Sequence, residues 1–339
     1  MSKSPSMLAR STPHAVIQPK PGIGDVIWHL PFIRAIAAVS PGGQVTFLAP
    51  PTSGARELLV AEPAVAEIIY YNHSGSELQR GVNLIRLVAL LRRHRFGKIW
   101  ILDRTIRPAL AAFLAGIPER IGVGLTGQRR FITNRGIPQS HFHNFPIEWL
   151  VKLMADMGVP FTTTEPGLQI PSEPFAAIGE KFASLARPWL GLGIAASHLD
   201  KDWPAAYWQE LIGRLRELTP GTVFLIGGAA NVARADDLIA ATAGAGAVNA
   251  CGLKLMEATA LLAHADLFIG TDSGPLNLAA AARTDAFGFF GGTPVLKYSK
   301  YIHPIVPDGG PAPGGMQRIL PTQVLEHVRP YLSRRKQPA

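Results

Sequence analysis

The sequence predicts an α/β protein built from two doubly wound domains, each around a parallel sheet. Short apolar segments typical of strands alternate with amphipathic segments typical of helices, which is the order of βαβ units. The alternation stops in a proline-containing segment and begins again near residue 189. The chain has 339 residues, which is enough for two domains of about 150 residues each.

In the first half, segments rich in β-branched and aromatic residues alternate with segments that carry apolar residues at helical spacing. The predicted strands are residues 15–18, 44–49, 67–71 and 98–103. The predicted helices are residues 25–39, 56–60, 82–95 and 108–115. Each strand is followed by a helix, as a parallel sheet requires.

The second half repeats this order. The predicted strands are residues 189–195, 222–227, 267–270 and 286–290, and the predicted helices are 205–217, 233–243, 256–263 and 275–282. Four prolines between residues 160 and 174 place the interdomain linker at about 166–175. Parallel sheets bind ligands at the carboxyl ends of their strands, so we expect the two domains to face a shared cleft.

Composition excludes several classes of protein. Hydrophobic residues make up 47% and charged residues 17%, which excludes intrinsic disorder. No apolar run approaches the ~18–20 residues of a membrane helix, and no apolar segment follows the basic N-terminus, so we expect a cytoplasmic protein. The single cysteine, Cys251, excludes a disulfide scaffold. The ten histidines show no metal-binding spacing, so we expect neither a metal nor a cofactor.

The positive charge lies almost wholly in the first half. Of a net +9, residues 1–170 contribute 18 − 10 = +8 and the remainder 15 − 14 = +1. Such a one-sided basic surface attracts anions, although it is also compatible with solubility alone. Nucleic acid is an unfavoured partner, because no stacking-aromatic motif accompanies the charge. Basic residues 92–95 close a helix, where they either interact with its C-terminus or contact a membrane surface.

The first candidate site is residues 19–31 (PKPGIGDVIWHLP), a glycine-rich turn from a strand into a helix. Gly22 and Gly24 permit a tight backbone and close approach of a ligand. The third glycine of a dinucleotide fingerprint is missing, so a nicotinamide site is not expected. Asp25 begins the helix and is either its cap or a general base that projects into the cleft.

The second candidate site is residues 193–208, after the first strand of the second half. Ser197 offers a hydroxyl group and Lys201 a cation, and together they suit a phosphate. The alternative is a solvated loop in which Lys201 lies between Asp200 and Asp202.

The third candidate site is residues 268–281, where a strand leads through small residues into a helix. The free N–H groups of such a helix start bind anions. Asp272 or Ser273 caps this helix, or Asp272 binds hydroxyl groups beside a phosphate.

Together these segments resemble glycosyltransferase family 9, the heptosyltransferases of lipopolysaccharide core synthesis. The resemblance covers nearly the whole chain through five segments in order: residues 22–36 (GIGDVIWHLPFIRAI), 102–103, 116–122 (GIPERIG), 197–211 and 252–281. It implies a GT-B fold of two Rossmann-like domains. Residues 1–168 would bind the acceptor and 175–320 the nucleotide-sugar, and a C-terminal helix in 321–339 would pack back on the N-terminal domain.

The resemblance also implies an inverting, metal-independent transfer from an ADP-heptose-like donor to an anionic, lipopolysaccharide-core-type acceptor. Asp25 would be the general base, and Lys201 would neutralise the leaving diphosphate. The donor would contact Ser197, Leu253, Lys254, Leu255, Asp272, Ser273, Gly274 and Asn277. The acceptor would contact Gly24, Arg104, Arg107 and Arg120. We hypothesise that the basic first half binds this glycolipid at the cytoplasmic face of the inner membrane.

One position departs from the family pattern. Asn277 stands where the family usually has histidine, and an amide cannot supply imidazolium charge. A different donor sugar therefore remains an alternative, as does a nucleotide-sugar epimerase or hydrolase of the same fold.

Overall fold

A computed structural model describes residues 12–72, 74–194, 196, 198–242 and 246–334. These residues form two compact units with the main boundary between Thr163 and Thr164, and residues 57–61 group with the second unit. The boundary falls just before the linker predicted at 166–175. The functions assigned to the two domains stay predictions.

The first unit contains a five-stranded parallel sheet in the order β3-β2-β1-β4-β5. Its strands are β1 (His14–Ile17), β2 (Val45–Ala49), β3 (Val65–Tyr70), β4 (Lys98–Ile101) and β5 (Glu119–Gly122). Helices cover both faces of such a sheet, so its inner strands are continuous apolar runs. All five residues of β2 are buried accordingly.

The helices of the first half are α1 (Ile23–Ala38), α2 (Ala55–Leu58), α3 (Glu77–His94), α4 (Ile106–Leu114) and α5 (Pro146–Asp156). Helix α3 begins five residues earlier than predicted because Ser76 and Gln79 form a capping box. The backbone N–H of Ser76 donates to Gln79 Oε1 at 2.8 Å. Leu87 and Leu91 of α3 and Ala109 and Ala112 of α4 pack in one core cluster with the strands.

The second unit contains a six-stranded parallel sheet in the order β11-β10-β9-β6-β7-β8. Its strands are β6 (Trp189–Gly193), β7 (Thr222–Ile226), β8 (Ala247–Asn249), β9 (Leu267–Thr271), β10 (Ala286–Phe289) and β11 (Ile302–Ile305). Its helices are α6 (Ser172–Lys181), α7 (Ala205–Leu218), α8 (Val232–Ala241), α9 (Leu255–His264), α10 (Gly274–Ala281) and α11 (Pro321–Arg334). Every residue of β6, β7 and β9 is buried.

The predicted fold class, two parallel-sheet α/β domains, is confirmed. Three strands were missed, β5, β8 and β11, because each is a short edge strand with polar or half-exposed residues. Helices α5 and α6 were missed as well, and the prediction placed part of α6 in the linker.

The apolar side chains Val324, Leu325, Val328 and Leu332 of the C-terminal helix α11 lie in the core of the second unit, together with those of α7. These side chains recur every three or four residues and so form one face of the helix. The packing of this helix on the N-terminal domain stays a prediction. None of the helices within the described residues is long and apolar enough to cross a membrane.

In both sheets the strand order reverses beside a central strand. The reversal lies between β1 and β4 in the first sheet and between β6 and β9 in the second. The connections that follow these two neighbouring strands run to opposite sides of the sheet, and this leaves a crevice at the carboxyl ends of the pair. Chain segments far apart in sequence therefore meet at two places, after β1 and β4 and after β6 and β9.

Two facing glycines let the central strands of the second sheet fit together. Gly193 of β6 is in register with Gly270 of β9, and the ring of Phe268 fills the space where side chains would stand. A Cβ at position 270 would lie 2.6 Å from Phe268 Cζ and 3.0 Å from the Cα of Gly193. Neither position has room for a larger residue.

We predict that Gly270→Ala lowers the free energy of unfolding by about 1–3 kcal/mol, since the added methyl group overpacks this core. Urea unfolding measures the change. Phe268→Leu in the same chain should recover part of the loss, because it removes the nearest clashing atoms. Gly213→Ala is the matched control: a Cβ there meets nothing within 4 Å, so it should stabilise α7 by about 0.5–1 kcal/mol. Equal stability of Gly270→Ala and the parent would contradict the packing argument.

Candidate functional site

The crevice of the first sheet is an open, basic cleft of about 710 Å³. The segments after β1 and β4 form it together with the start of α4. Its lining residues are Pro19, Lys20, Pro21, Asp103, Arg104, Thr105, Ile106, Arg107 and Thr126. Three of these side chains are cations, and Lys20 Nζ lies 3.9 Å from Asp103 Oδ2. The cleft therefore suits an anionic ligand.

Asp25 is the third residue of α1 and is half-buried. Its Oδ2 accepts the backbone N–H of Gly22 at 3.2 Å, so the carboxylate caps the helix. Its Oδ1 accepts no hydrogen bond from any described residue. A carboxylate with one oxygen held and the other open is oriented and still able to accept a proton. Gly24, predicted to contact the acceptor, precedes it and is half-buried.

His29 lies one turn after Asp25 and is fully buried. Its Nδ1 contacts the backbone carbonyl of Asp25, and its Nε2 lies 3.0 Å from the carbonyl of Leu102, at the end of β4. The ring therefore ties the start of α1 to the first crevice. Burial lowers the pKa of His29, although the two carbonyls and the nearby carboxylates of Asp25 and Asp103 oppose the shift.

The three arginines predicted to bind the acceptor have different surroundings. The guanidinium of Arg104 lies over the rings of Phe142 and Trp149, with centroids at 4.7 and 5.2 Å. Arg107 is exposed in the cleft. Arg120 lies elsewhere: its Nε donates to the carbonyl of Phe131 at 2.6 Å, and its Nη1 donates to that of Ile117. Its guanidinium thus holds a loop, and its role in acceptor binding stays a prediction.

The crevice of the second sheet contains an ion pair between two predicted site residues. Lys201 Nζ lies 2.6 Å from Asp272 Oδ2 and 3.2 Å from the carbonyl of the same residue. Both side chains are largely buried. Thr293 Oγ1 donates to the same Oδ2 at 2.8 Å. The ammonium has three N–H donors, and the described contacts engage two of them.

Helix α10 begins directly after this ion pair. Ser273 is its N-cap, but its hydroxyl donates to the carbonyl of Thr271 at 3.2 Å rather than capping the helix. Gly274 is half-buried at the first helical position. Asn277 is buried, and its amide is turned inward: Nδ2 donates to the Ser273 carbonyl at 2.8 Å, and Oδ1 accepts the hydroxyl of Tyr298 at 2.5 Å.

The remaining predicted donor residues lie at the start of α9. Leu253 and Leu255 are half-buried, and Lys254 is the exposed N-cap. Ser197, also predicted to contact the donor, lies outside the described residues. The structure therefore brings together Lys201, Asp272 and the start of α10 in one unit. It places Arg104 and Arg107 in the lining of the cleft of the other unit, and Asp25 in the first turn of α1, outside that lining.

Three polar residues at these crevices were not predicted from the sequence: the half-buried Thr293 and the buried Tyr298 and Gln18. Thr293 and Tyr298 hold Asp272 and Asn277, but each lies 21 residues further along the chain. Gln18 follows β1 and is fully buried, and its amide has no hydrogen-bond partner among the described residues. A polar residue directly after an apolar strand was the available signal for Gln18.

Among the described residues, no group of three or more His, Cys, Asp or Glu side chains is arranged to hold a metal ion. Charge at these crevices comes from lysine, arginine and aspartate side chains and from a helix start.

Comparison with known proteins gives consistent matches. The model of glycosyltransferase family 9 (heptosyltransferase) matches residues 84–305. Lipopolysaccharide heptosyltransferase 2 of Salmonella typhimurium is 26% identical over 345 residues, which cover 92% of this chain and 96% of the relative.

Two solved structures show the same fold. The structure of E. coli ADP-heptose lps heptosyltransferase II is similar with a TM-score of 0.76 at 23% identity, covering 96% of this chain and 100% of that one. An E. coli heptosyltransferase with ADP-2-deoxy-2-fluoro heptose has a TM-score of 0.70 at 17% identity, covering 94% and 99%.

The buried His29 generates a prediction about pH. In the unfolded chain, the imidazole of His29 has a pKa near 6.5. In the folded chain, burial lowers this pKa. The stability that neutral His29 contributes is therefore complete above about pH 6.5 and falls as the pH drops towards the folded pKa. We expect a loss of up to about 1.4 kcal/mol per pH unit.

Urea unfolding of the parent and of His29→Gln, at pH 8 and at pH 5.5, measures this effect. The difference at pH 8 gives the cost of the substitution itself. On acidification, the parent should lose more stability than His29→Gln. Parallel losses in the two proteins would show that His29 takes up its proton equally in both states.

Proposed function

Because this chain belongs to glycosyltransferase family 9, we propose that it transfers a heptose-like sugar from an ADP-sugar to an anionic acceptor of the lipopolysaccharide-core type. The transfer inverts the anomeric centre and needs no metal ion. The names of the relatives support the heptose and the acceptor. The fold shared with a heptosyltransferase that holds an ADP-heptose analogue supports the donor.

The observation that carries the proposal is the position of Lys201. Its ammonium lies at the carboxyl end of β9, on Asp272, which precedes the N-cap residue of α10. As the bond between sugar and phosphate breaks, the leaving diphosphate gains negative charge. A lysine cation and the N–H groups of a helix start stabilise this charge without a metal ion.

Asp25 is the proposed general base. The acceptor hydroxyl is a poor nucleophile until a base removes its proton during attack. Oδ1 of Asp25 takes this proton while Oδ2 stays on the N–H of Gly22. The hydroxyl oxygen bonds to the anomeric carbon on the face opposite the diphosphate, so the configuration inverts.

The acceptor lies in the basic cleft of the first unit. Lys20, Arg104 and Arg107 supply cations there, and the rings of Phe142 and Trp149 hold the guanidinium of Arg104. This arrangement supports an acceptor that carries carboxylate or phosphate groups.

We predict that Asp25→Asn lowers the rate of transfer by about 10²–10⁴-fold, since the amide cannot take a proton. Donor binding should persist, and so should stability, because the amide oxygen still accepts the N–H of Gly22. Transfer of radiolabelled sugar to the acceptor, combined with thermal shift by the donor, separates these effects. Asp25→Ala is the control for the cap, and it should lose stability as well. Full activity of Asp25→Asn would refute the assignment of the base.

We predict that ADP-heptose stands out in a thermal-shift panel of ADP-, UDP-, GDP- and TDP-sugars. At ~100 times its dissociation constant, a ligand stabilises the protein by roughly 2.7 kcal/mol. Lys201→Gln should weaken the shift by ADP-heptose, because the diphosphate loses its cation. A stronger shift by another nucleotide-sugar would replace the proposed donor. Loss of transfer in EDTA, restored by Mg²⁺, would contradict metal independence.

A further inference from the structure

Helix α3 exposes an apolar stripe that the packing of the domain does not explain. Leu78, Val82 and Ile85 are 81%, 40% and 70% exposed, and their spacing of four and three residues places them on one face. Leu87 and Leu91, on the opposite side of the helix, already anchor it in the core. Single exposed leucines are common on protein surfaces, whereas a continuous stripe marks an interaction surface.

Helix α4, which packs beside α3, exposes apolar side chains too. Its side chains Ile106, Phe113 and Leu114 are exposed as well. The two helices cover the same face of the sheet, since both contribute to one core cluster, and Arg92 donates to the carbonyl of Leu114 at 2.8 Å. We call these six exposed side chains, together with the basic residues around them, the α3–α4 face.

The basic residues select the chemistry of the partner. The sequence of α3 contains Arg86, Arg92 and Arg93 as well as Arg80, which lines a pocket on another side of the helix, but a single acid, Glu77. Helix α4 has no acidic residue, and the turn packed beside it ends in the exposed Arg129 and Arg130. Apolar side chains surrounded by arginines suit an anionic lipid surface. The apolar side chains insert between the lipid headgroups, and the negative charge of the headgroups attracts the arginines. A second copy would oppose arginines with arginines.

The α3–α4 face continues into the proposed acceptor cleft. Ile106 belongs to the face and also lines the cleft, next to Arg107. A smaller pocket between the two helices is lined by Arg80, Asn83 and Arg107 among others. Helix α3 therefore presents apolar side chains to solvent on one side and polar side chains to this pocket on another.

We propose that the α3–α4 face docks on an anionic bilayer surface. The sugar headgroup of the acceptor then enters the cleft from the membrane while its acyl chains stay in the bilayer. The identity of the acceptor as a glycolipid rests on the proposed function, but the docking itself does not. The attachment is peripheral, through side chains that penetrate the headgroup region.

Flotation of the whole protein with vesicles tests the docking. The parent should float with vesicles of phosphatidylethanolamine and phosphatidylglycerol but not with pure phosphatidylcholine, and 0.5 M salt should weaken binding, because salt screens surface charge. Leu78→Ser with Ile85→Ser should lower the partition coefficient at least about tenfold. Arg93→Gln with Arg130→Gln should lower it by a similar factor.

Val39→Ser with Val60→Ser is the matched control. These side chains are also well exposed, at 46% and 64%, but lie outside α3 and α4, so binding should not change. Equal flotation of the Leu78/Ile85 variant and the parent would overturn the proposal, and so would equal binding to neutral and anionic vesicles. If the parent binds no vesicles but forms a dimer, and Leu78→Ser with Ile85→Ser abolishes that dimer, then the face is a contact between copies.

Transfer assays separate this proposal from the proposed function. With the acceptor in vesicles, the Leu78/Ile85 variant should show a raised KM and an unchanged kcat. With the deacylated, water-soluble acceptor it should match the parent. A protein that binds vesicles but transfers no heptose to either acceptor would support the docking and refute the function. Equal KM values for the parent and the variant on vesicles would show that docking does not deliver the acceptor.

Discussion

The constraint on which the rest of the structure depends is the reversal of strand order beside β1 and beside β6. All the strands are parallel, so each connection crosses a face of the sheet and all the carboxyl ends lie at one edge. At a reversal the connections leave towards opposite sides, and backbone cannot fill the gap between them. The loop with Lys20 therefore meets the loop with Asp103 and Arg104, 83 residues later, and Lys201 meets Asp272.

The two crevices differ in the arrangement of their charged groups. In the first, the cations that line the cleft outnumber the carboxylates, and Asp25, at the start of the neighbouring α1, accepts a backbone N–H. In the second, Lys201 is fixed by Asp272, and Thr293 shares the same carboxylate oxygen. The pair is neutral as a unit, so the proposed diphosphate would meet an oriented ammonium without a net repulsion from the aspartate.

The elements that could be predicted from the sequence are those whose position is determined by hydrophobic burial alone. Strands such as β7 and β9 are unbroken apolar runs because helices cover both their faces. Edge strands have no such pattern, and β8 has no fully buried residue. At the site, a motif predicted Lys201 and Asp272, but Tyr298 could not be found this way. Its hydroxyl reaches Asn277 through tertiary packing, and this contact explains how an amide is tolerated at a buried position.

Helix α3 has apolar side chains on two opposite sides, one buried in the core and one exposed to solvent. Leu87 and Leu91 lie in the core, and Leu84, Val88 and Leu90 pack against it. Leu78 and Ile85 instead face water, where an apolar side chain gains nothing from folding. Positions that break a local rule in an otherwise consistent sequence mark function more often than stability. The same helix lines the pocket beside the cleft through Arg80 and Asn83. The proposed membrane contact and the proposed acceptor site therefore lie on two sides of one helix.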